Sequence, residues 1–367
     1  MERGTGTYAD RAGQAETRLA RTTTPTLALV LGGGAARGLA HLGVLEVLEA
    51  EGLRPDYLAG TSIGGLVAAL AACGIDARQM IEIARGFRFP AHYVPGHLLD
   101  WEEIFPTALE VFRNLSFEGL CTPLALSAVD LQRGEEVVLR SGPLLPAVRA
   151  TCAVPGVLPP EQIDGRALVD GGVMNILPVD LTWAWVPDVV IAVNVLSSPE
   201  SVPRLDSRYA RAALRMGRWL PNPVTAQVAF DVVMRAFEIA LERQRSLAFS
   251  MTNPDVLIDL DLADVSFRDF HRLGEIVEAG RRATRQGLVR LRAALERQPR
   301  TRQASQAEPS HRVDPVCGME VSPARAPARL ELAGRVYYFC STTCSDCFRR
   351  HADRYLEAMA AAASGPG

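Results

Sequence analysis

The chain has 367 residues, with 39 Lys and Arg against 42 Asp and Glu, a formal charge of −3. That balance gives no reason to expect nucleic acid as a partner, and 48% apolar with 22% charged residues is ordinary for a soluble globular protein. The length allows one large domain plus a small one, and no apolar run approaches the roughly 18 uncharged residues of a membrane span.

Residues 1–25 mix Glu, Asp, Arg, Gly and Thr without an apolar stretch, and read as a disordered leader, not a secretory signal. From Thr26 strand-like and helix-like segments alternate. Leu27–Leu31 is a short apolar run ending in glycines, a buried strand feeding a turn. Leu39–Glu51 has apolar residues at helical spacing, Tyr57–Ala59 is a second strand, and an Ala- and Leu-rich helix begins around Leu66. Between Gly86 and Gly119 aromatics are scattered among prolines, suited to capping a site, lining an acyl channel or packing as an ordinary cap. Leu124–Val129 and Val137–Leu139 read as paired strands across Gln132-Arg133-Gly134. Ala167–Val169 is a strand ending at Asp170, and Val189–Val195 is β-branched and apolar apart from Asn194.

Residues 208–247 read as mostly helix, broken near Pro221 and Pro223; a strand at Val256–Leu260 and a helix at Ile276–Leu295 follow. The expected fold is α/β, a mostly parallel sheet sandwiched by helices over 26–297. Residues 298–312 are polar and aperiodic, a linker. A small Cys-rich α+β module is expected over 313–358.

Three motifs in one order carry the chemistry. Gly32-Gly33-Gly34-Ala35-Ala36-Arg37-Gly38 lies between a strand and a helix, where backbone N–H groups and a helix N-terminus favour an anion. A dinucleotide phosphate fits poorly: the glycines at 32, 34 and 38 put the last one place late, and Glu49 and Glu51 fall within the helix instead of at a strand end. The oxyanion of an acyl-transfer intermediate fits better. Gly60-Thr61-Ser62-Ile63-Gly64 has the spacing of a nucleophile elbow, with a simple helix cap at Ser62 as its plainer reading. Asp170-Gly171-Gly172 ends an apolar strand with open space around a carboxylate. A serine needs a base, and the histidines are poorly placed: His41 in a helix, His92 and His97 before the aspartate, His311 and His351 in linker and tail. His271 is the one plausible alternative. Asp170 is therefore the expected base for Ser62.

These residues resemble the patatin-like phospholipase family, in its bacterial and neuropathy-target-esterase-like members, over roughly Thr26 to Arg297. Cys152-Ala153-Val154-Pro155-Gly156 and Asn175-Ile176-Leu177-Pro178 resemble the segments flanking that family's aspartate. The resemblance implies a Ser62–Asp170 dyad without a catalytic cofactor. It implies an oxyanion hole from the N–H groups of Gly33, Gly34 and Ala35, joined by Ile63, with Arg37 ordering the loop. Ala35 stands where the family often has glycine, and suits a backbone donor if its φ is negative. The implied substrates are fatty acyl esters of phospholipids or lysophospholipids, in lipid degradation or remodelling.

Of seven cysteines, Cys73, Cys121 and Cys152 lie in apolar contexts and read as buried thiols. Cys317, Cys340, Cys344 and Cys347 cluster near the end, where an odd total and no export signal argue for metal over disulfides. Residues 313–356 resemble the YHS/TRASH-type metal-binding module, which places Cys317, Cys340 and Cys344 at its thiol positions and implies Zn²⁺ or Cu⁺. Cys347 or His351 is the candidate fourth ligand. The expected protein is cytoplasmic, peripheral to the inner membrane surface, and acts on lipid. A metal-responsive, lipid-binding adaptor with little turnover is the alternative.

Overall fold

The computed structural model describes residues 25–89, 98–196 and 223–296, and in the C-terminal stretch 312–315, 320–321, 323, 326–332, 335–339, 342–350 and 352. The order is β1 (Leu27–Leu31), α1 (Ala40–Ala50), β2 (Tyr57–Thr61), α2 (Ile63–Ala72), α3 (Ala77–Ala84), α4 (Trp101–Ile104) and α5 (Ala108–Phe112). There follow β3 (Leu124–Asp130), β4 (Glu135–Leu139), α6 (Leu144–Cys152), β5 (Glu161–Ile163), β6 (Arg166–Asp170), β7 (Val189–Asn194), α7 (Pro223–Thr252), β8 (Val256–Asp259) and α8 (Leu273–Glu296). The sequence pattern missed α3, α6 and β5. It placed the start of α2 at Leu66, three residues late, because the turn at Ser62 feeds the helix directly. Residues 208–222 of the long helical stretch lie outside the described residues.

Eight strands form one sheet, in the order β5-β6-β3-β2-β1-β7-β8 with β4 also on β3. The pairs β3–β2, β2–β1, β1–β7 and β7–β8 are parallel; β3–β4, β3–β6 and β5–β6 are antiparallel. The patatin-like α/β expectation is thus met by a mixed, mostly parallel sheet flanked by helices. β1 is buried along its whole length, as a strand covered on both faces must be.

Register on β3 explains how the site forms. β2 pairs with Leu124 to Ser127, β6 with Ala128 to Asp130, and β4 with Leu126 to Asp130. β4 overlaps both of the others, so β2 and β6 must share the opposite edge of β3. They meet end to end where Ser127 gives way to Ala128. Ser62 leaves β2 at that point, and Asp170, paired with Ala128, ends β6 there.

One face of the sheet is covered by α1, α2 and α8. α1 and α8 cross closely because glycines face each other: a Cβ at Gly280 would lie 2.0 Å from the Ala40 carbonyl oxygen, and one at Gly43 2.0 Å from that of Val277. Two arginines of α8 are engaged along this contact. Arg281 pairs with Glu46 and Glu278, and Arg292 with Glu51. Among the earlier aromatics, Phe87, Trp101, Phe105, Phe112 and Phe117 are buried in the core, and Tyr93 lies outside the described residues. Cys152 is buried and Cys73 half-buried, but Cys121, expected inside, is exposed in the turn before β3.

In the C-terminal stretch, β9 (Arg312–Val313) pairs with β10 (Glu320–Val321), β11 (Ala328–Leu332) pairs with β12 (Arg335–Phe339), and α9 (Thr342–Arg350) follows. Tyr337, Phe339 and Phe348 form its small core.

Gly280→Ala forces a methyl group into the backbone of α1, and overpacking of this kind costs about 1–3 kcal/mol. Urea unfolding should show a lower midpoint with an unchanged slope.

Candidate active site

The site lies at the carboxyl ends of β1 and β2, where an open parallel sheet leaves a crevice. Ser62 sits between β2 and α2 with φ +57° and ψ −133°. A non-glycine residue held there is strained by about 1–3 kcal/mol, a cost the surrounding packing must offset. Gly64 makes the tight turn feasible, since a Cβ on it would stand 2.2 Å from the Leu31 carbonyl oxygen. The Ser62 N–H donates to Thr151 Oγ1 at 3.0 Å, and that hydroxyl donates to the Ser127 carbonyl at 2.6 Å. The nucleophile turn is thereby tied to the β3 position where β2 and β6 meet.

Ser62 Oγ donates to Asp170 Oδ2 at 2.6 Å, and the other carboxylate oxygen accepts from the Gly172 N–H at 2.7 Å. Both residues are nearly closed to solvent, with Asp170 3% and Ser62 7% exposed. Burial pushes the Asp170 carboxyl up to about 7, against the opposing pull of its hydrogen bonds from Ser62 and Gly172. Cys152 lines the same cavity with its thiol held neutral, first by burial and then by the charge of Asp170. His271, the alternative base, is exposed on the surface. His92 and His97 lie outside the described residues.

Of the expected oxyanion donors, Gly34, Ala35 and Ile63 line the cavity with Ser62 and Asp170. Among the described residues their N–H groups have no acceptor. Gly33 does not fit the expectation: its N–H donates to the Ile176 carbonyl at 2.9 Å and is already committed. Ala35 departs from it in another way, with φ at +48° instead of a negative value. The loop needs a left-handed residue there, and alanine occupies it at a cost of about 1 kcal/mol.

Arg37 is buried. Its Nε donates to the Val265 carbonyl at 2.7 Å and its Nη1 reaches Glu238 Oε1 at 3.2 Å. It therefore anchors the turn after the glycines to two later segments, not to the glycine carbonyls themselves.

The sequence reading passed over several supports. His41 Nε2 donates to the Gly32 carbonyl at 2.8 Å, holding the start of the glycine loop from α1. Asn175 accepts from Thr61 Oγ1 through its carbonyl, and its side-chain amide donates to Glu136 and Asp180. The turn after Asp170 is thus fastened to the end of β2. Glu136 is raised by burial and then by the neighbouring charge of Asp180, and Asp180 is raised by burial. Thr151 lies near the end of α6 and Asn175 in the turn after β6, and sequence periodicity does not show which polar residues face a distant segment.

The cavity above Ser62 has a volume of about 100 Å³. Apart from the dyad, its walls are mainly apolar, with Phe89, Phe105, Phe267 and Phe270 on one side and Met234, Phe237 and Leu241 of α7 on another. Arg37 and Glu238 supply the charged wall. The arrangement can hold a long apolar group beside a serine hydroxyl, a carboxylate and free N–H donors.

Among the expected metal ligands, Cys317, Cys340 and His351 lie outside the described residues, as does the side chain of Cys347. Cys344 is half-buried on the inner side of α9, against the clusters around Val321 and Phe348. Among the described residues no group of three or more His, Cys, Asp or Glu could hold a metal ion.

The structure brings together a glycine loop and a serine at the ends of parallel strands with an aspartate that ends an antiparallel one. Residues 29–101 and 110–183 match the family model for patatin-like phospholipases, and residues 312–359 match that for the YHS domain. The first of these regions is thus similar to the patatin-like phospholipases and to NTE family proteins, and a match to the YHS domain lies behind it. An uncharacterised NTE family protein of Mycobacterium tuberculosis is 33% identical over 226 residues, which is 59% of this chain and 60% of that protein. The lysophospholipase NTE1 of Pyricularia oryzae is 30% identical over 75% of this chain and 19% of its own length. Patatin-like phospholipase domain-containing protein 6 of Mus musculus is 36% identical over 50% of this chain and 14% of its own length. The chain spans about 60% of the length of the first of these relatives. The solved structure of VipD from Legionella pneumophila superposes with a TM-score of 0.38 at 12% identity, over 73% of this chain and 67% of that one, too loosely to bear on the site.

His41 is fully buried, and burial lowers its imidazole from 6.5 to about 4 against the smaller effect of its bond to Gly32. The folded state therefore holds it neutral, while the unfolded chain takes up a proton below about 6.5. Its stabilising contribution is complete above that pH and is lost as pH falls from 6.5 towards 4. Between pH 7.5 and pH 5 this amounts to about 2 kcal/mol. Urea unfolding of wild type and His41→Gln at both pH values should show the steeper pH dependence in wild type.

Proposed function

We propose that the chain is a serine acyl hydrolase acting on fatty acyl esters of phospholipids or lysophospholipids, with Ser62 as nucleophile and Asp170 as general base. The observation that carries this reading is the 2.6 Å hydrogen bond between these two buried residues beside a mainly apolar cavity. It is supported by the match of residues 29–101 and 110–183 to the patatin-like phospholipase family model and by the lysophospholipase among the similar proteins.

In the proposed reaction, Ser62 Oγ attacks the ester carbonyl carbon while its proton passes to Asp170 Oδ2. The oxygen that gains negative charge is received by the N–H groups of Gly34, Ala35 and Ile63, and one such donor is typically worth about 3–4 kcal/mol. The protonated Asp170 then gives its proton to the departing alkoxide, leaving an acyl-serine. Water, deprotonated by Asp170, attacks that ester and releases the fatty acid with Ser62 restored. A carboxylate is ordinarily a weak base, and burial corrects this by raising Asp170 to about 7.

The hydrolase unit is assigned to 26–297, with 298–312 as linker. The YHS-like module at 313–358 is assigned a Zn or Cu ion held by Cys317, Cys340 and Cys344 with Cys347 or His351. The half-buried Cys344 thiol on the inner side of α9 suits a soft ion, whose contribution there would be to staple a small core. No step of hydrolysis runs through it. The working location is the cytoplasm, at the surface of the inner membrane. Among the described residues no helix is long and apolar enough to cross a membrane.

Hydrolysis of a medium-chain nitrophenyl ester and of lysophospholipid by wild type, Ser62→Ala and Asp170→Asn tests the reading. Both variants should remain folded by circular dichroism and lose about 10³-fold or more in kcat/KM. A folded wild type that cleaves neither substrate would sink the proposal and favour the metal-responsive, lipid-binding adaptor. The base must be ionised, so kcat/KM for wild type should rise about tenfold per pH unit below 7 and level off above it.

A further inference from the structure

Ser62 and Asp170 are shut in, and α7 forms part of the roof. The inner side of α7 carries Met234, Phe237, Glu238 and Leu241, all lining the cavity. Two polar ties fasten it to opposite halves of the site. Glu238 meets Arg37 behind the glycine loop at 3.2 Å, and Gln244 Nε2 donates to the Val173 carbonyl, just past Asp170, at 2.7 Å. The cavity of about 100 Å³ is too small to take in a diacyl lipid, and α7 forms one wall of it.

The outer side of α7 is not the polar face a water-facing helix normally presents. At about 100° per residue, positions 232, 236, 239, 240 and 243 fall on one side, opposite 234, 238, 241 and 245. That outer side exposes Val232 (45%), Ile239 (51%), Ala236 and Ala240, and Val233 beside them is 64% exposed. Its one charged residue is Arg243, and no acid interrupts it. Met174, next to the carbonyl that receives Gln244, is a further exposed apolar side chain at 43%. A helix apolar on both sides has one side covering the cavity and the other available for an apolar phase. Helices with an apolar face and a cation lie in the headgroup boundary of a bilayer.

We propose that α7 is a lid over Ser62, and that its outer face docks on a phospholipid surface, which releases the Arg37–Glu238 and Gln244–Val173 ties and opens the cavity towards the membrane. The inference rests on the proposed lipid hydrolase reading. It adds the partner surface and the moving part: docking covers Val232, Val233 and Ile239, and opening gives Met234, Phe237 and Leu241 acyl chains in place of the cavity as their apolar surroundings. Lid opening of this kind is a population shift, driven by the difference in membrane affinity between open and closed forms.

The test uses the full chain and a water-soluble fluorophosphonate, whose phosphorus bonds to the serine oxygen as fluoride leaves. Labelling is followed with and without vesicles of phosphatidylcholine and phosphatidylglycerol, with Ser62→Ala as the control. Vesicles should accelerate wild-type labelling by about tenfold or more. V233E/I239E, which alters the outer face alone, should keep the vesicle-free rate and lose the acceleration. E238A/Q244A should label faster than wild type without vesicles. Labelling at Ser62 that is indifferent to vesicles, acceleration retained in V233E/I239E, or no gain in E238A/Q244A would overturn the lid and leave the serine nucleophile standing. No labelling of folded wild type under either condition would overturn the nucleophile, and the lid with it.

Discussion

The junction on β3 is the constraint on which the rest of the site depends. One edge of that strand is shared by β2, running parallel, and β6, running antiparallel, and the two stop against each other. Their last residues are forced into contact, so a serine and an aspartate 108 positions apart share a 2.6 Å hydrogen bond. The edge also fixes the neighbours: Thr151 reaches both the Ser62 N–H and the Ser127 carbonyl, and Asn175 binds the end of β2 to the turn after Asp170. The geometry is a property of sheet register, held by backbone ladders on both sides of the contact.

Burial then sets the chemistry. In water an aspartate would be too acidic to take a serine proton. Beneath mainly apolar walls Asp170 is raised to about 7, and in the proposed reaction the same surroundings strengthen the N–H donors of Gly34, Ala35 and Ile63. The strain at Ser62 and Ala35, both at positive φ, belongs to the same arrangement, since it turns a hydroxyl and a set of N–H groups towards one cavity. The helix over the cavity and its two polar ties maintain this burial.

Much of the fold was legible in short-range pattern. β1 reads as a continuous apolar run because both its faces are covered, and α1 as a 3.6-residue period because one side is packed. The elbow at Ser62 and the Asp170 turn were legible because tight turns demand glycine at particular spacings. The N–H inventory of the glycine loop was not. Gly33 and Gly34 look alike in sequence, yet the first is committed to Ile176, a residue brought alongside only by the folded chain. Arg37 likewise reads as a loop residue, and its partners Val265 and Glu238 lie more than 200 positions away.

The sequence by itself determined the α/β class, the order of the three motifs and the candidate serine and aspartate. These follow from hydrophobic period and turn chemistry, which act over a few residues. Only the tertiary structure decided which strand edge β6 would share with β2, which backbone donors remained free, and how far burial would raise Asp170. It also decided that α7 would cover the cavity with one apolar side and leave another exposed. Those outcomes depend on contacts between segments distant along the chain, and on the exclusion of water that such contacts bring about.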